Sequence, residues 1–245
     1  MARRRDAGDE PTLVWERPEP PSRPVPSPLS RDRIVRAAIE LADADGLEAV
    51  SLRKVAAALD AGPMRLYGYL SNKEELLDLM VDAVYGEIPA PEPADGDWRG
   101  ALRFLAHGVR RTALRHEWFA DLLGGRPQLG PNMLAHLEAS LAALDGVPGG
   151  VDADALMQAV HTVNAYVFGA VRSEIAESRA ERATGLDERR WQATMGPYLE
   201  RMLATGRYPT VAKVVHGAGQ PDMDTVFDTG LDQVVDGVAA RLTGR

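Results

Sequence analysis

The stretch that most constrains this chain is Ser51–Lys73, SLRKVAAALDAGPMRLYGYLSNK. Leu52, Val55, Ala56 and Leu59 recur at helical spacing, Asp60-Ala61-Gly62 interrupts the pattern, and Pro63 restarts it. This predicts a helix, a tight turn and a second short helix from Pro63 to Leu70. Proline suits a first helical turn because its missing N–H would have no intrahelical partner there, and Gly62 is available for the dihedrals of a sharp corner. Two short helices joined this way cross steeply, and the second becomes a narrow rod that fits the major groove of B-form DNA. Charge agrees locally. Arg53, Lys54, Arg65 and Lys73 face one acid, Asp60, in a chain whose formal net charge is −8. That balance argues against a sequence-blind polyanion binder and leaves a focused basic patch.

The flanks extend the pattern. Ser30 is a good N-cap for a helix to about Asp45, with Gly46 as its stop and Ile34, Ala37, Ala38 and Leu41 as its buried stripe. Ser51 opens the next helix. Ser71-Asn72-Lys73-Glu74 matches the capping box S-x-x-E, and its helix runs through Leu76, Leu77, Met80, Val81 and Val84 to about Ile88. Pro89, Pro91 and Pro93 then mark a domain boundary. Seven prolines among mixed charges forbid regular structure before Pro28, so residues 1–29 read as a disordered or extended arm, a solvated leader. Arg3, Arg4 and Arg5 in it are candidates to reach a phosphate or the minor groove.

The series Arg33-Ile34-Val35-Arg36-Ala37-Ala38, Asp45-Gly46-Leu47, Ser51-Leu52-Arg53-Lys54-Val55-Ala56, Leu66-Tyr67 and Asn72-Lys73-Glu74-Glu75-Leu76-Leu77 resembles the DNA-binding domain of the TetR family of bacterial transcription regulators. The resemblance covers about residues 30–88. It implies an all-α protein: an N-terminal helix-turn-helix domain (30–88) and a helical-bundle ligand-binding and dimerisation domain (95–245), dimerising through a four-helix interface. It places DNA contacts at Ser51, Arg53, Pro63, Met64, Arg65, Tyr67, Gly68, Tyr69 and Lys73, with Arg65 reading bases, Tyr67 and Lys73 holding phosphates, and Leu66 and Leu70 facing inward. Two residues depart from the family pattern. Asp60 stands where the turn usually has glycine, and Gly68 replaces what is often a larger side chain, so one groove contact is expected to be missing.

Beyond the boundary the periodicity stays helical: Trp98–Arg115, Pro131–Asp145, Asp154–Glu177, Asp187–Thr205, Pro209–His216 and Asp224–Leu242. One short reading helix buries too little surface for an operator-grade affinity, so a two-fold homodimer on two half-sites is expected. The apolar stripes Val160, Val167, Val171 and Phe227, Leu231, Val234, Val235, Val238 are its candidate interface, with Gly230 and Gly237 permitting close approach. The resemblance also implies a small-molecule effector pocket in the C-terminal domain. Candidate lining residues are Leu102, Leu105, Trp118, Phe119, Met133, Leu137, Met157, His161, Asn164 and Phe168, with His161 and Asn164 three apart on one helix as the polar pair.

The function expected is a ligand-responsive repressor released from operator DNA by a small apolar or aromatic molecule; the alternative is a protein-interaction module whose basic motif docks an acidic partner. No enzyme motif is found, and no cofactor or metal is expected, since the histidines lack paired ligand spacing. Absence of cysteine excludes disulfides and thiolate chemistry. With no signal-peptide core and no apolar run of about 20 residues, the chain is expected in the cytoplasm, away from membranes.

Overall fold

Side-chain caps fix where the first helices begin. In the computed structural model, which describes residues 13–21, 29–91, 97–125, 128–147, 150–219 and 221–242, Ser30 accepts from the Arg33 N–H at the start of α1 (Arg31–Asp45). Ser51 does the same from Lys54 at the start of α2 (Leu52–Ala58). α1 ends at Gly46, whose φ of 81° lets its N–H return to the Ala42 carbonyl. A 3-10 turn (Leu47–Ala49) then leads into α2.

α3 is shorter than expected: Pro63–Leu66, followed by a turn through Tyr69. The cap of α4 (Lys73–Tyr85) sits one residue later than the S-x-x-E reading placed it. Asn72 accepts from the Glu75 N–H, and the Glu75 carboxylate accepts from the Ser71 N–H. The reciprocal logic is that of a capping box with the register moved by one, because Asn72 serves as a cap as well as serine does.

The remaining elements are α5 (Trp98–Arg115), α6 (Glu117–Leu122), α7 (Pro131–Asp145), α8 (Ala153–Thr184), α9 (Glu188–Leu203), α10 (Pro209–Gly217) and α11 (Met223–Leu242). Among the described residues there is no strand and no helix long and apolar enough to cross a membrane. α6 was not legible in the sequence, and α8 runs 32 residues, past the expected end at Glu177.

The chain divides into two compact units, the first ending at His161 and the second starting at Thr162. The proline segment 89–93 does not separate them, because α6 packs on α1 and α4 and α7 packs on α4 and α5. Ile34, Ala38, Val55, Leu66, Leu70, Leu76 and Met80 form the buried centre around the reading motif, and Leu102, Leu105, Val109, Trp118, Phe119 and Leu144 are buried in the later helices of that unit. In the second unit Val163, Val167, Val171 and Ile175 of α8 and Phe227, Leu231, Val235 and Val238 of α11 are buried. The Tyr166 phenol occupies the space beside Gly230 and donates to the Phe227 carbonyl at 2.8 Å.

The leader is not wholly solvated. Arg3, Arg4 and Arg5 lie outside the described residues, but in segment 13–21 Val14 is buried and Arg17 pairs with Glu75 and donates to the Ser71 hydroxyl.

Candidate nucleic-acid interface and buried cavity

The corner between α2 and α3 turns at Asp60, with φ 49°, the one non-glycine residue of positive φ among those described. Gly62 is ordinary extended backbone (φ −73°, ψ 141°), so the corner needs no glycine there. Aspartate tolerates the left-handed region better than most residues, and α3 is thereby offered to solvent.

Leu66 and Leu70 are fully buried and anchor the rod. Arg53, Lys54, Pro63, Arg65 and Gly68 are exposed, Met64 is 79% and Tyr67 51% exposed, and Ser51 and Lys73 are partly exposed. A methionine and a tyrosine that far in water, at the tip of a cationic surface, cover nothing within the chain. Tyr69 does not belong with them. It is buried, and its hydroxyl donates to the Leu29 carbonyl at 2.7 Å. The turn after Leu66 rotates its ring inward, where it ties the start of α1 to the reading motif. It is scaffold, not a groove contact.

Behind this surface lies a polar joint that the sequence did not reveal. His116, buried between α5 and α6, sets Nδ1 2.8 Å from Asp43 Oδ1 near the end of α1 and Nε2 3.2 Å from Glu87 Oε2 just past α4. Trp118 Nε1 donates to the same Asp43 oxygen at 2.7 Å, and Arg115 to Glu87 at 2.8 Å. The C-terminal ends of α1 and α4 thus meet on one cluster.

A second link joins α4 to α7. Gly130, the N-cap of α7, offers no side chain. In its place the buried Asp82 of α4 accepts from the N–H groups of Asn132 (3.0 Å) and Met133 (2.9 Å) and from Asn132 Nδ2 (3.1 Å). A Cβ on residue 130 would sit 2.3 Å from Asp82 Oδ1, so only glycine admits this approach. Burial raises the Asp82 pKa above the usual carboxylate value, although the α7 N–H groups pull it the other way.

One turn further along lies a cavity of about 120 Å³ lined by Tyr85, Gly86, Ile88, Pro89, Ala90, Leu105, Asn132, Ala135, His136 and Ala139. Its polar edge is Asn132, His136 and Tyr85. Burial pushes the His136 pKa down to about 4, which keeps the imidazole neutral, and pushes the Tyr85 phenol up to about 12. The Tyr85 ring packs against His136 (centroids 5.3 Å) and edge-on against Phe119 (5.2 Å).

Of the ten effector-pocket candidates, Leu105 alone lines this cavity. Trp118 and Phe119 are packed core, the indole N–H already committed to Asp43, and Leu102 is likewise buried. Met157 and His161 are exposed, Met133 and Leu137 are partly buried away from the lining, and Asn164 and Phe168 belong to the second unit. Helical period marks the inward face of α5 but does not say which inward residues border a void. Tyr85 and His136 supplied no such mark.

The dimer stripe needs a similar correction. Val160, Val167, Val171, Phe227, Leu231, Val235 and Val238 are buried within a single chain, and Val234 is partly buried. A side chain already out of water removes no further apolar area on association. Exposed apolar residues remain on the same two helices, Met157 on α8 and Met223 and Val226 on α11, and also occur as Trp191, Met195 and Tyr198 along one face of α9 and Val211, Val214 and Val215 on α10.

Residues 34–80 match the model of the bacterial regulatory proteins of the tetR family, and residues 90–242 match the tetracyclin repressor-like C-terminal domain. The chain is 39% identical over 236 residues to the HTH-type transcriptional repressor DrrR1 of Streptomyces coeruleorubidus, covering 95% of this chain and 86% of that one. It is 36% identical over 230 residues to an HTH-type transcriptional regulator of Saccharopolyspora erythraea (94% and 92%). Its fold superposes on the Streptomyces coelicolor TetR family protein ActR, solved in complex with actinorhodin, with a TM-score of 0.74 and 29% identity over 88% of this chain and 98% of that one.

Proposed function

This chain belongs to the TetR family of bacterial transcription regulators and is a ligand-responsive DNA-binding repressor; within that frame, we propose how its own residues read DNA and sense the effector. Arg65 reads base edges and Met64 lies against the groove, while Ser51, Arg53, Tyr67 and Lys73 fix register on phosphates. The observation that carries this is the exposure of Met64 and Tyr67 beside four cations on a body of net charge −8. The repressors among its relatives favour operator DNA over an acidic protein partner.

The protein acts in the cytoplasm as a homodimer, each copy presenting one α3 to a half-site, with the exposed apolar faces of α9 and α10 covered by the second copy. The split between residues 30–88 and 95–245 is supported by the two family matches, the first ending at residue 80, before the proline segment, and the second beginning at residue 90, within it.

The effector enters the cavity between Tyr85 and His136. A mainly apolar wall with a neutral imidazole, an amide and a phenol suits a planar aromatic molecule bearing hydrogen-bonding groups. At about 120 Å³ the cavity is too small for such a molecule, so binding selects a state in which α7 has moved off α4. Asp82 conveys that motion to α4, and the two rods lose the spacing of successive major grooves, about 34–36 Å. A gel shift on DNA upstream of the protein's own gene, with excess nonspecific competitor and with or without actinorhodin as first probe, tests the reading. A specific complex is expected; its absence refutes operator binding.

A further inference from the structure

Gly68 lacks the larger side chain that its place in the reading motif invited, and the structure shows what lies against it. A Cβ built there would touch Pro20 Cγ at 3.4 Å. Pro20 belongs to the short segment 13–21, which opens with a turn closed by the Glu16 N–H to the Leu13 carbonyl and buries Val14 to 4% exposure.

Arg17 is its centre. The guanidinium pairs with Glu75 in the first turn of α4 and donates to the Ser71 hydroxyl at 2.8 Å, while the Arg17 carbonyl accepts from Arg31 of α1 at 2.9 Å. Glu19 accepts the Arg31 N–H at 3.2 Å. The pair is only partly open to water, with side chains 29% and 22% exposed. Burial would raise the Glu75 pKa, but the hydrogen bonds from Arg17 and the Ser71 N–H outweigh it and hold the carboxyl below its usual value.

From these contacts we infer that residues 13–21 form a strap that positions the DNA-reading surface, with Arg17 setting the turn between Tyr67 and Lys73. Gly68 is then the seat of the strap, not a lost groove contact. Tyr67 and Lys73 flank the turn that Arg17 and Pro20 hold, and Arg31 ties the strap to α1. A shift of this turn moves the two phosphate ligands relative to Arg65, which disturbs register on a specific site more than loose electrostatic attraction to any duplex. The inference rests on the operator-binding reading.

The test uses full-length Arg17→Ala, Arg17→Lys and Glu75→Gln proteins, with affinities for operator and for nonspecific duplex measured across salt concentrations and folding checked by thermal melting. For Arg17→Ala, operator affinity is expected to fall about tenfold, as for loss of one charge-assisted hydrogen bond, while nonspecific affinity and the salt slope stay within about twofold. Arg17→Lys restores part of the loss, and Arg17→Ala adds little in the Glu75→Gln background because the two act as one unit. An equal loss on both duplexes with a flatter salt dependence makes Arg17 a direct phosphate ligand and overturns the strap. Unchanged operator affinity, or full additivity with Glu75→Gln, overturns it as well. If the parent protein itself shows no preference for operator, it is the operator reading that fails, and the melting comparison still reports whether the strap is bonded.

Discussion

Asp82→Ala probes the link between the reading domain and the cavity most directly. The substitution takes the acceptor from two backbone N–H groups and one side-chain amide at the start of α7, where Gly130 has nothing to replace it. Loss of a helix cap costs about 0.5–2 kcal/mol, and each buried N–H left without a partner about 1–3 kcal/mol. Two effects reduce the sum: Asn132 is exposed enough for water to enter, and removing a buried carboxylate recovers the desolvation that raises its pKa. A net loss of about 2–3 kcal/mol follows, which for a chain of this size lowers Tm by about 5–10 °C. Asp82→Asn keeps one acceptor oxygen and loses about half as much. Calorimetry gives the stability, and hydrogen exchange localises it: the amides of Asn132 and Met133 exchange at least about tenfold faster in Asp82→Ala, while those of α11 change only with global stability. A Tm within about 2 °C of the parent, or unaltered exchange at those two amides, refutes the capping role and with it the proposed route from cavity to α4.

Four further outcomes follow. Arg65→Ala relaxes sequence preference, costing about 1–3 kcal/mol on the operator, whereas Lys73→Ala weakens all duplexes evenly and flattens the salt dependence by about one unit; equal losses from Arg65→Ala on every sequence would remove its reading role. His136 is depressed to about 4 in the folded state against an ordinary 6.5, so the unfolded chain binds the extra proton between those values and His136 destabilises the fold as pH falls through that window, by up to about 3 kcal/mol. The raised Asp82 opposes it there, so the measured quantity is the flatter pH dependence of His136→Gln relative to the parent, and identical curves would contradict the burial of the ring. Asp60→Gly relieves a left-handed aspartate (φ 49°) and, after the added entropy of the unfolded chain, stabilises by about 0.5 kcal/mol in urea titrations with operator binding kept; a destabilisation would show that the corner depends on the carboxylate. Trp191→Asp places a charge on the exposed apolar face of α9, and sedimentation equilibrium is expected to show at least a tenfold weaker dimer, whereas an unchanged dimer would move the two-fold contact elsewhere.

What the sequence disclosed and what it withheld separate along a physical line. Ser30, Ser51, Gly46 and Pro63 act on backbone groups within four residues of themselves, so helix starts and stops around the reading motif were legible, and the family resemblance placed Leu66 and Leu70 inward, where they are buried. α7 and α5 were read to their end residues for the same reason. Tyr69 was misplaced because α3 closes after Leu66, and a change from helix to turn redirects every side chain beyond it. The polar joint at His116 and the Asp82 cap unite residues 28 to 75 positions apart, and nothing in local spacing records such a partner.

The apolar stripes of α8 and α11 show where this difference has functional weight. Period shows that Val167, Val171, Leu231 and Val235 leave water; it is silent on whether the other wall belongs to the same chain, and here they are buried within one chain. Gly68 poses the converse problem. An absent side chain reads as a missing contact until Pro20, 48 positions earlier, is found against it. The acidic body makes that brace consequential. With a net charge of −8, attraction to DNA comes from a few cations near α3, so affinity depends on holding them in register rather than on their number. A segment that fixes Tyr67 relative to Lys73 therefore controls specificity without touching a base.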